Sequence, residues 1–103
     1  YAEGMHPSPS SKLVWGTEFE RSLRDLDPSR LCQINAKMDD LARFMETGQA
    51  LKSLDFKIIK GGAIKGSTYE VDAWADGSAE RLFGHHSSDK TQFVVDRLDH
   101  PLH

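Results

Sequence analysis

The chain carries one cysteine, Cys32, among its 103 residues. A lone thiol closes no internal disulfide, so the fold has to rest on its apolar core, and a reducing compartment, the cytoplasm, is the expectation. Long hydrophobic runs are also missing. None approaches the roughly 18 residues of a membrane helix, and no apolar segment follows the N-terminus as in a signal peptide. Positive charge is scarce: 13 Lys and Arg stand against 16 Asp and Glu, a net charge of −3. A protein that grips nucleic acid over a wide surface carries an excess of basic residues, so any polyanion must be met locally here. One window allows that. Between Phe56 and Thr68 lie Lys57, Lys60 and Lys65 and no acid.

What is present is a strand-rich second half, Ser67 to Leu98. Read in twos it gives a strand at Thr68–Ala75, a turn at Asp76-Gly77, a second strand at Glu80–Gly84 and a third at Thr91–Leu98. Asp-Gly between such runs signals a hairpin, because Gly accepts the positive φ of a tight turn. Alternation sets Tyr69, Val71 and Ala73 on one face and Glu70, Asp72 and Trp74 on the other. It likewise sets Arg81, Phe83 and His85 against Leu82 and Gly84, and Phe93, Val95 and Arg97 against Val94, Asp96 and Leu98. Phe56–Lys60 reads as a further strand, Gly61-Gly62 as a turn and Gly66 as a second point of backbone relief.

The first half reads as helical. Tyr1–Ser11 is small, polar and proline-rich, a disordered lead-in, and residues 12–103 form a single domain. Lys12–Trp15 is a short strand. Thr17 and Glu20 then have capping-box spacing, with Thr17 as the cap, ahead of a helix whose Phe19, Leu23 and Leu26 make one apolar stripe. Asp27-Pro28 ends that helix and starts the next, Asp27 as cap and Pro28 in the first turn. In the second helix Leu31, Ile34, Met38, Leu41 and Met45 repeat at spacings of 3 and 4, Phe44 widens the seam, and Gly48 stops it. Cys32, beside this stripe, is expected to be a small core residue. Helices so closely joined make an αα-hairpin covering one face of the sheet.

This order of elements resembles the RelE/ParE superfamily of toxins from type II toxin–antitoxin pairs. Three passages carry the resemblance: LVWGTEFERSLRDLD, PSRLCQINAKMDDLARFMETG, and STYEVDAWADGSAERLFG followed by QFVVDRLDH. It implies an α+β fold, with an N-terminal strand and an α-hairpin packed on one face of a twisted antiparallel sheet. It implies a cytoplasmic toxin bound by a cognate antitoxin, in a possible heterotetramer. The RelE branch implies ribosome-dependent mRNA cleavage through the 2′-OH, with no metal or cofactor; the ParE branch implies inhibition of DNA gyrase. An inactive interaction module of the same fold is a third reading. The chain departs from the RNA-cleaving pattern where Glu70 and Asp72 replace basic residues, and where Arg97, Asp99, His100 and His103 replace the C-terminal basic cluster and Tyr.

Cleavage through the 2′-OH needs a base, a cation at the phosphate and an acid for the leaving oxygen. Arg81 matches the family's strand arginine and is the phosphate candidate; it could equally pair with Glu70 or Asp72. His85 and His86 are the proton-transfer candidates, and neighbours on a strand face opposite ways, so one at most enters a given site. A metal site joining His85, Asp96 and His100 lacks ligand spacing and is disfavoured. Lys57, Lys60, Lys65, Tyr69, Arg97 and His100 are the candidate RNA contacts. Trp74 and Tyr69 could stack on bases or simply pack.

Overall fold

A computed structural model describes residues 10–49, 57–59, 66–74 and 80–99. The chain runs β1 (Leu13–Trp15), α1 (Thr17–Leu23), α2 (Pro28–Thr47), β2 (Lys57–Ile58), β3 (Tyr69–Asp72), β4 (Arg81–His86) and β5 (Phe93–Asp99). The five strands form one sheet in the order β1-β5-β4-β3-β2. Four of them pair antiparallel, while β1 lies parallel to β5 at one edge. That parallel pair makes the sheet mixed. The two strands lie at opposite ends of the element order, with both helices and the β2–β4 strands between them, so no tight hairpin forces them antiparallel.

Both helices cover the same sheet face. Phe19 and Leu23 of α1 and Leu31, Ile34, Met38, Leu41 and Ala42 of α2 are buried in one core with Leu13, Val71, Leu82, Phe93 and Val95 of the sheet. The stripe read from the sequence is the buried stripe. Met45 and Phe44 pack at its margin. Asp27 caps α2 by accepting from the Arg30 N–H at 2.8 Å, with Pro28 in the first turn. Gly48 closes the helix in the left-handed region, φ 76°, its N–H donating to the Phe44 carbonyl. Gly66 also takes a positive φ, 87°, as its role in relief anticipates.

Four expectations change. Gly16, not Thr17, caps α1, and no side chain bonds there. The Gly16 N–H donates to the Val95 carbonyl at 2.8 Å, and a Cβ on Gly16 would lie 3.1 Å from that oxygen. Close approach to β5 therefore fixes where the helix starts. Cys32 is exposed, because one residue beyond Leu31 lies about 100° round the helix and off the stripe. Trp74 is buried with the helices, not on the Glu70–Asp72 face. Beyond the end of β3 alternation no longer governs it, and its ring is held by an Nε1–H bond to Glu80 at 3.0 Å and by the Arg30 guanidinium 4.4 Å from its centroid.

The fourth change matters most for function. Phe83 pairs with Arg97 and Gly84 with Val95, so β5 bulges by one residue at Asp96. Beyond the bulge the alternation is reversed. Leu98, opposite Leu82, joins the helix-covered side, and Arg97 turns to the other. Ser10 and Ser11, read as the end of the lead-in, are hydrogen-bonded to Glu46 and Gln92. The Asp76-Gly77 and Gly61-Gly62 turns lie outside the described residues, as does most of the lead-in.

Candidate active site on the open sheet face

The sheet face away from the helices carries the charge. Glu70 and Asp72 of β3, Arg81, Phe83 and His85 of β4, and Asp96, Arg97 and Asp99 of β5 lie on it by register. Two polar groupings divide this face.

The first is centred on Arg81. Its Nη1 sits 2.6 Å from Asp72 Oδ1 and its Nε 3.6 Å from Glu70 Oε1, with 15% of the side chain exposed. The pairing follows directly from register, since Asp72 lies opposite Arg81. A guanidinium with two carboxylates is already neutralised, so a phosphate has to displace one of them.

The second grouping is a directed chain. Arg97 Nη1 donates to Ser67 Oγ at 3.2 Å, and Ser67 Oγ donates to Asp96 Oδ2 at 2.7 Å. The same carboxylate oxygen lies 2.8 Å from His85 Nδ1. Ser67 is fully buried, and Arg97 is buried with its guanidinium 5.0 Å from the Phe83 ring centroid. His85 is the accessible end of the chain, with 37% of its side chain exposed. The arrangement can hold an imidazole in place and exchange a proton at its outer nitrogen.

His86 points to the opposite side. Its ring makes edge contacts with Tyr69 and Phe93, at centroid distances of 5.1 and 5.3 Å. Burial first, then the nearby Lys90 charge, hold its pKa below the ordinary histidine value. The structure therefore separates the two histidines, and Tyr69 packs with His86 away from the open face. Arg81 and His85 share a face but stand four residues apart on β4, about 13 Å along the strand. Lys57 lies at the β2–β3 edge, opposite Glu70. Lys60, Lys65 and His100 lie outside the described residues, as does the side chain of Lys57. Among the described residues no group of three His, Cys, Asp or Glu could hold a metal ion, and no helix is long and apolar enough to cross a membrane.

Sequence reading did not assign Ser67 or Asp96 a part in proton transfer. Asp96 had one visible signal, its place on the strand that pairs with the histidine strand. Ser67 had none, because only the fold buries it beneath Asp96.

No protein-family model matches the sequence, and no curated protein does. Among solved structures, the chain is similar to one in the crystal structure of the toxin–antitoxin complex RelBE2 from Mycobacterium tuberculosis. The two are 21% identical, with a TM-score of 0.57 over 87% of this chain and 96% of the other. An identity this low speaks for the backbone alone: this chain shares its fold with a chain of that toxin–antitoxin complex.

Proposed function

We propose that this chain is the toxin of a toxin–antitoxin pair, held silent by a cognate antitoxin in a heterotetramer. Released in the cytoplasm, it cleaves mRNA on the ribosome without a metal ion. The fold it shares with a chain of the RelBE2 complex supports the toxin role. The observation that carries the nuclease reading is His85, seated on Asp96 on the face the helices leave open.

In this reading His85 Nε2 takes the proton of a ribose 2′-OH. The freed oxygen attacks the adjacent phosphorus, and the bond to the 5′-oxygen breaks to leave a 2′,3′-cyclic phosphate. The proton for that departing oxygen comes from water, because His86 packs on the far side of the sheet. Arg81 and the Lys57–Lys65 segment hold neighbouring phosphates, Arg81 by exchanging a carboxylate for one of them. Arg97 holds the site together from within.

The charge of the same face favours a second reading. Four carboxylates, Glu70, Asp72, Asp96 and Asp99, surround two guanidiniums. Such a surface suits a protein partner better than RNA, as in a ParE-like gyrase inhibitor or an inactive interaction module. Induced expression with mapping of cellular RNA 5′ ends separates these readings. Growth arrest with new cuts inside translated messages is expected, and co-expression of the antitoxin should relieve it. Arrest without cuts supports the gyrase inhibitor; no arrest overturns the toxin role.

A further inference from the structure

We propose that Asp96 is a positioning residue that locks His85 in the tautomer with hydrogen on Nδ1, leaving Nε2 as the outward proton acceptor. As a step in catalysis this rests on the nuclease reading, but the geometry stands independently of it.

The direction of each hydrogen bond is fixed by chemistry. Arg97 can only donate, so Ser67 Oγ accepts from it and has its own hydrogen left for Asp96. A carboxylate can only accept, so the 2.8 Å contact with His85 requires the hydrogen to sit on Nδ1. Ser67 and Arg97, both buried, fix the carboxylate from below. His85 Nε2 has no hydrogen-bond partner among the described residues.

The bulge makes this possible. In regular alternation Asp96 and Arg97 would face opposite sides of the sheet. One extra residue in β5 sets both on His85's side, so the carboxylate and the cation that anchors it through Ser67 are consecutive in the chain. The charged or titratable groups around the imidazole are Asp96 and, through Ser67, Arg97, both from β5, with His86 next to it on β4.

The test is nitrogen NMR of the imidazole rings in the full chain, at a pH where they are neutral. Wild-type His85 is expected to carry its hydrogen on Nδ1. Asp96→Ala should lose that signal and revert to the Nε2–H form that free imidazole side chains prefer. It should lower the rate of RNA cleavage with little change in KM. A wild-type His85 with hydrogen on Nε2, or an Asp96→Ala protein still on Nδ1, overturns the proposal. Should Asp96→Ala not fold, the wild-type spectrum alone decides. An Nδ1–H His85 in a protein that cuts no RNA would uphold the positioning and sink the nuclease reading instead.

Discussion

At the scale of single residues, neighbouring positions on β4 have opposite duties. His86 is drawn into an aromatic cluster with Tyr69 and Phe93, and burial disfavours its charged form. Its folded pKa lies below the ordinary 6.5, so the unfolded chain binds the extra proton. The stability that neutral His86 supports is therefore present above about pH 6.5 and lost as pH falls through the folded value. His86→Phe should gain on wild type in urea midpoint as pH drops from 8 to 5.5; a constant difference between the two proteins would contradict this. Gly84 makes a different demand. A Cβ there would stand 2.5 Å from the Phe93 ring and from the Val94 carbonyl, against both side chain and backbone. Gly84→Ala should cost about 1–3 kcal/mol, read from denaturant unfolding, because an overpacked core has to shift β5 away from β4.

At the scale of elements, α2 was the most legible part of the sequence. Its cap, its stripe and its stop each have a local cause, and all three stand where the residues place them. Asp27→Ala should cost about 1 kcal/mol through the lost cap. Ile34→Ala, at a fully buried position, should cost about 2–5 kcal/mol. Thermal or urea unfolding checks both, and equal losses would show that the stripe does not anchor the hairpin. Strand β5 was less legible. Phe93 and Val95 follow simple alternation, but the bulge at Asp96 is imposed by pairing with β4, and nothing local in FVVDRLD announces it. The start of α1 is set by a similar long-range cause, since contact between Gly16 and β5 overrides the capping potential of Thr17.

At the scale of the whole molecule, the helical hairpin takes up one side of the sheet and leaves the other to polar chemistry. That division was readable, because two apolar helical stripes must be buried against something and β3 offers one apolar and one acidic face. The candidate site was only partly readable. Arg81 and His85 were visible as residues, but the engagement of Arg81 by Asp72 and Glu70, and of His85 by Asp96, depends on register and on the bulge. The net charge of −3 fits this picture, since both guanidiniums of this face are matched by carboxylates, and Asp72 and Asp99 stay partly exposed, as does His85.

The most direct measurement is cleavage of mRNA on purified ribosomes by wild type, His85→Ala and His86→Phe, with folding of each checked by thermal unfolding. Wild type and His86→Phe should cut. His85→Ala should keep its Tm and lose roughly 10²–10⁴-fold in rate, the range for a lost general base. Cutting by His85→Ala at the wild-type rate, or no cutting by wild type, would contradict the account.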